Sequence, residues 1–172
     1  LSDNVSAPVT VGFSTLDQAA ENGSGSDYVA LSKIITFPAM ATLVEDNITI
    51  NNDNIVENSE TFLVQIDNAS NPNVFLGPQA VVTINNDDYA TVTVGSFSVN
   101  EDSGVANIIF SLSNNVSTAF QLTYSTINNT ADNASDFALI NRTLNFPAMT
   151  SRLTENISIT PATIVEANAT FI

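Results

Sequence analysis

Asp53, Glu57 and Glu60 fall within one polar stretch, NNDNIVENSE (residues 51–60), between apolar runs. Carboxylates this close, beside the amides of Asn51, Asn52 and Asn54, offer hard oxygen donors. Ca²⁺ takes on the order of six to eight such oxygens. The segment ITINNDNIVENSETF (48–62) recurs 109 residues later as ISITPATIVEANATF (157–171), where Glu166 matches Glu57. Pro161, Ala162, Thr163 and Ala169 stand where the first copy has Asn52, Asp53, Asn54 and Glu60. Two readings stand side by side: a cation site that the second copy has lost, or solvated turns of a repeated acidic scaffold.

Composition narrows the chemistry further. The 172 residues include no Cys, His or Trp, and only Lys33, Arg142 and Arg152 are basic against 18 acids, a net charge of −15. Thiol nucleophiles, imidazole bases and zinc sites of the usual ligand set are thereby excluded. Such a charge repels phosphate backbones and anionic membrane surfaces and attracts cations, so no nucleic-acid partner is expected. Apolar residues make up 44% of the chain, enough for a core. No run approaches the roughly 20 apolar residues of a membrane span. The chain opens on Leu1 without a signal-peptide pattern, and is expected to be a processed product or a window of something longer.

The elements that would hold these residues are strands. VTVGFST (9–15), NITI (47–50), TFLVQI (61–66), AVVTI (80–84), ATVTVGSFSV (90–99), VANIIFSL (105–112) and FQLTYST (120–126) are short runs rich in Val, Ile, Thr and Phe. Asn, Asp, Gly, Ser and Pro clusters such as ENGSGSD and NASNPN separate them. No stretch sustains a helical period, and short strands between turn signals predict a β-sandwich.

The repeat sets the domain organisation. LSDNVSAPVTVGFSTLD (1–17) aligns with LSNNVSTAFQLTYSTIN (112–128), and SDYVALSKIITFPAM (26–40) with SDFALINRTLNFPAM (135–149). The expected domains are 1–88 and 89–172, joined without a linker at Asp88–Tyr89, an arrangement suited to a stiff rod. The first copy is expected to lack its first strands and the second its last. Neighbouring repeats, or other copies donating strands, would complete them. An isolated monomer would then fold poorly.

GSDYVALSKIITFPAMAT, ITINNDNIVENSETFLVQIDNAS and AVVTINNDD, with VNEDSGVANIIFSLS (99–113), resemble the Calx-beta repeat over the whole chain. The resemblance implies an all-β fold of tandem immunoglobulin-like sandwiches, both incomplete at the chain ends. It implies either a calcium sensor, as in sodium–calcium exchangers, or an extracellular module, as in adhesion receptors and aggregation factors. Carried over residue by residue, its calcium ligands fall on Asp27, Asp53, Glu57, Glu60, Asp87 and Asp88. Asn replaces Asp at several neighbouring positions (Asn51, Asn52, Asn54, Asn85, Asn86), which lowers ligand charge and predicts weak binding, in the first repeat only. The second keeps Glu101, Asp136 and Glu166.

Asn-x-Ser/Thr occurs ten times, at Asn4, Asn22, Asn47, Asn68, Asn115, Asn128, Asn133, Asn141, Asn156 and Asn168. Strand alternation sets Asn47 opposite the Ile48–Ile50 pair, where a glycan would face solvent. These sequons point to an exported, N-glycosylated chain at the cell surface or beyond it, in a rod or adhesive fibre. No catalytic residue is expected. Without His or Cys, and with acids in open loops, neither nucleophile nor tuned general acid is in view.

Overall fold

The computed structural model describes residues 1–23, 27–163 and 165–172. Contacts divide it into two units, one of Leu1–Asp53 with Asn58–Asp87, the other of Asn54–Glu57 with Asp88–Ile172. The four residues Asn54–Glu57 join the second unit through Val56, whose N–H donates to the Asn115 carbonyl (2.9 Å) and whose carbonyl accepts from Ser117 (2.9 Å).

In the first unit β1 (Val9–Asp17), β2 (Ser32–Phe37), β3 (Glu60–Ala69) and β4 (Ala80–Ile84) form one antiparallel sheet in the order β2-β1-β3-β4. Its fully buried centre is Ala20, Tyr28 and Phe62, with Ile48, Val64, Val82 and Ile84 packed around them. The Tyr28 and Phe62 rings stack at 4.1 Å. Val9 and Val11, inward on β1, are also buried.

The second unit is a two-sheet sandwich. β5 (Val92–Val94), β6 (Val105–Leu112) and β9 (Arg152–Ser158) make one sheet, in the order β5-β6-β9. β7 (Phe120–Ser125) pairs with β8 (Asn141–Phe146) in the other. Strict alternation along β6 buries Ala106, Ile108, Phe110 and Leu112. Phe110 meets Tyr124 of the facing sheet edge-on at 4.9 Å. Between the sheets lie Phe137, Ile140, Phe146, Ile157 and Ile159.

The repeat is visible bond by bond. Thr15 Oγ1 accepts from the N–H of Leu31, and Thr126 Oγ1 from that of Ile140, each at 2.9 Å. Lys33 pairs with Asp46 (2.6 Å) as Arg142 does with Glu155 (3.7 Å). The methionine closing each FPAM motif adopts positive φ, 67° at Met40 and 58° at Met149.

Two expected strands are altered. Of 90–99 only Val92–Val94 is a strand, because only those residues reach partners on β6. Residues 47–50 form no strand beyond a bridge from Ile50 to Tyr28. The first three residues of the equivalent stretch of the second unit, 156–158, lie in β9, laddered to β6. Similar sequences thus differ in structure because a strand needs a neighbour for its N–H and C=O groups. β2, β8 and β9 go unnamed in the sequence reading because charged and Asn residues break up their apolar runs (SKIITF, NRTLNF, RLTENIS).

Candidate metal centre

The buried Tyr28–Phe62 stack builds the acidic site. Strand periodicity puts Glu60 on the same face of β3 as Phe62, two residues on. Tyr28 covers Phe62, and Asp27 precedes Tyr28, so Asp27 is carried to the end of β3 where Glu60 lies. Asp27 is then fixed locally. Its N–H donates to the Glu21 carbonyl (3.1 Å), its carbonyl accepts from Asn51 (2.9 Å), and its Oδ2 accepts from the Glu21 N–H (2.8 Å). Glu57 enters three residues upstream of Glu60.

One carboxylate oxygen from each of Asp27, Glu57 and Glu60 lies within 4.8 Å of the other two. All three side chains are half-buried. Three anions so close repel one another unless a cation or proton intervenes. Ca²⁺ holds oxygens at about 2.3–2.6 Å, so two ligands across one ion lie up to about 5 Å apart. The spacing therefore fits a single hard cation, and the donor set is all oxygen.

The other three residues of the expected set stand outside this group. Asp53 is exposed, and its backbone carbonyl accepts from Asn52 Nδ2 (3.2 Å). β4 ends at Ile84, opposite Glu60, and the chain continues to an exposed Asp87 and a half-buried Asp88. Neither contributes to the three-carboxylate group.

The second unit repeats the scaffold without the full set of acids. Phe171 stacks on Phe137 at 4.4 Å, as Phe62 does on Tyr28. Asp136 Oδ2 accepts from the Asp132 N–H (2.7 Å), the counterpart of the Glu21–Asp27 bond. That bond, with the Ser135 hydroxyl, holds the Asp136 carboxyl below the usual carboxylate range. At the position of Glu60 stands Ala169, and Glu166 is exposed. Among the described residues no second three-acid group forms.

Sequence reasoning overlooked Asp17. It lies at the end of β1 and accepts from the Tyr28 hydroxyl, the Asn22 N–H (3.2 Å) and Asn22 Nδ2 (2.8 and 2.7 Å). The Asn22 amide and then the Tyr28 hydroxyl lower its pKa, while burial and Asp17 raise that of Tyr28. Asp17 ties down the loop that presents Asp27. A signal was present in the repeat, where Asn128 and Asn133 occupy the same two positions and bond to each other.

The family model of the Calx-beta domain matches residues 1–88 and again residues 85–172. The chain belongs to the Calx-beta family. It carries two Calx-beta domains in tandem, and the resemblance read from the motifs holds over the full length. Among solved structures, this Calx-beta chain is similar to CBD12 from CALX1.2, at 24% identity over 98% of this chain and 67% of that one, TM-score 0.45. It is also similar to the calcium binding domain CBD12 of CALX1.1, at 23% identity over 92% and 65%, TM-score 0.44. It spans about two thirds of each of those chains. No curated protein matches.

Of the ten sequon asparagines, all but the half-buried Asn115 are exposed. Asn22 and Asn128 spend their side-chain amides on Asp17 and on Asp132 and Asn133. Ser24, which completes the Asn22 sequon, lies outside the described residues.

Proposed function

We propose that the first Calx-beta domain (residues 1–88) binds one Ca²⁺ through Asp27, Glu57 and Glu60, and that the chain is a non-enzymatic, calcium-responsive module of a tandem array. The convergence of these three half-buried carboxylates carries the reading. Family membership supports it, since the Calx-beta resemblance implies calcium-binding modules. The three carboxylates would hold the ion, with remaining positions taken by water or neutral oxygens. So few charged ligands give an affinity on the order of 10⁻⁴–10⁻³ M. The ion's role is electrostatic, neutralising a cluster that otherwise opposes the packing of residues 57–60 near Asp27.

Titration calorimetry of the chain, its Glu60→Gln variant and its Asp53→Asn variant tests this. Calcium heat is expected in the parent and in Asp53→Asn, and is lost in Glu60→Gln. No heat at millimolar calcium, or undiminished heat in Glu60→Gln, rules it out.

A second reading concerns location. Exposure of nine sequon asparagines supports an exported, N-glycosylated chain at the cell surface, in a rod or adhesive fibre. Intact-mass measurement of native material distinguishes it: added hexose mass supports export, and the bare polypeptide mass removes it.

A further inference from the structure

Asn22–Gly23 is the only Asn-Gly pair in the chain. The pairing matters chemically, because a glycine nitrogen has no adjacent side chain to hinder its attack on the asparagine Cγ. Asn22 is exposed, and Gly23 sits at φ 140°, backbone open to glycine, with free space where a Cβ would stand. The amide that would leave is pinned. Asn22 Nδ2 donates to both oxygens of Asp17 (2.8 and 2.7 Å), and the Asn22 N–H donates to one of them (3.2 Å). Hydrogen bonds to an anion are strong, and losing Nδ2 gives up two of them, so the fold opposes the reaction. The second unit has neither feature: Ala134 follows Asn133, and Asn128 stands in place of the carboxylate.

We propose that Asn22–Gly23 is a deamidation site held in check by Asp17, and that its conversion unlocks the loop presenting Asp27. The Gly23 nitrogen, having given its proton to water or hydroxide, bonds to Asn22 Cγ. The Cγ–Nδ2 bond breaks, and Nδ2 takes up a proton and leaves as ammonia. Water then opens the cyclic imide at either carbonyl and returns a proton to the Gly23 nitrogen. The product is aspartate or isoaspartate, and nothing is oxidised or reduced. Either product sets a second carboxylate against Asp17 in place of two donors, and like charges that close repel. Glu21, the preceding residue, clasps Asp27 twice: its carbonyl accepts from the Asp27 N–H (3.1 Å) and its N–H donates to Asp27 Oδ2 (2.8 Å). Displacing residue 22 loosens that clasp. A glycan on Asn22 would occupy the same Nδ2, so the two modifications exclude each other. The inference is independent of calcium binding.

The unglycosylated full chain, incubated at mildly alkaline pH and mapped by mass spectrometry, provides the test. Asn22 is expected to convert before any other asparagine, Asn133 included, yet about tenfold more slowly than in a free peptide of residues 17–28. Asp17→Asn should raise the rate in the folded chain by about tenfold. Tyr28→Phe loosens the same loop but leaves the amide pinned, so its rate should stay close to the parent's. In Asn22→Asp, and in parent aged to the converted form, the Asp27 amide should exchange about tenfold faster than in fresh parent. Earlier conversion of another asparagine, a parent rate equal to the free peptide's, no gain in Asp17→Asn, or an equal gain in Tyr28→Phe overturns the guarded site. Unchanged Asp27 exchange in the converted parent and in Asn22→Asp overturns the unlocking.

Discussion

The Tyr28 hydroxyl donates to the carboxylate of Asp17, and the second unit changes both partners together: Phe137 replaces the tyrosine and Asn128 the aspartate. A carboxylate at Asn128's place would face no hydroxyl, and a tyrosine at Phe137's would meet a neutral amide in place of a carboxylate. The pair is therefore a coupled unit that fixes the loop bearing Asp27. In a double-variant cycle, Asp17→Asn and Tyr28→Phe should each lower stability, with the double variant no worse than the poorer single. Strict additivity in denaturant melts would show that the two residues act independently.

The same pair sets a pH dependence. Hydrogen bonds from Asn22 and Tyr28 hold the folded-state pKa of Asp17 below its unfolded value. A depressed carboxylate adds stability above the unfolded pKa and loses it as pH falls through the folded one. The stability gap between the parent and Asp17→Asn should be constant near neutrality and close below about pH 4. Thermal melts of both proteins from pH 7 to pH 3 measure it, and a gap that widens in acid contradicts the assignment.

Met40 and Met149 hold left-handed backbone that glycine adopts without penalty. Both are more than half exposed, so little packing opposes replacement. Met149→Gly should be neutral or stabilising by up to about 1 kcal/mol, and Met149→Val destabilising by at least about that much. Chemical denaturation resolves the sign.

Core size differs between the units. Among the described residues, Val9, Val11, Ala20, Tyr28 and Phe62 are the buried apolar ones of the first, against ten in the second. The first unit should melt at lower temperature, giving two calorimetric transitions. Phe62→Ala, which empties a fully buried site, should cost about 3–5 kcal/mol in the lower transition alone. A single cooperative transition lowered as a whole would show the units to be energetically inseparable.

Calcium should act on that lower transition. A ligand at 100 times its Kd stabilises the state it binds by about 2.7 kcal/mol. Saturating calcium should raise the first unit's transition in the parent and leave it in place in Glu60→Gln. Equal shifts in both proteins would place the ion elsewhere.

Much of this was open to reading in the sequence. The repeat, the all-β class and the family follow from motif order, and β4 and β6 were named to the residue because their apolar runs are unbroken. Three of the six proposed ligands meet. Asp53, Asp87 and Asp88 do not, because proximity in the chain does not fix which way a loop turns. Asp17 was missed because its role depends on a hydroxyl eleven residues away that only folding brings to it.

Sequence by itself determined the oxygen-only chemistry, the strand periodicity and the loss of acids from the second copy, all properties of residue type and order. Tertiary structure decided which carboxylates converge and whether a given stretch is a strand. Residues 43–49 and 152–158 occupy the same place in the repeat, yet only the second forms a strand ladder. Local pattern prepares a segment to pair, but a ladder takes two strands, and the second strand belongs to the fold.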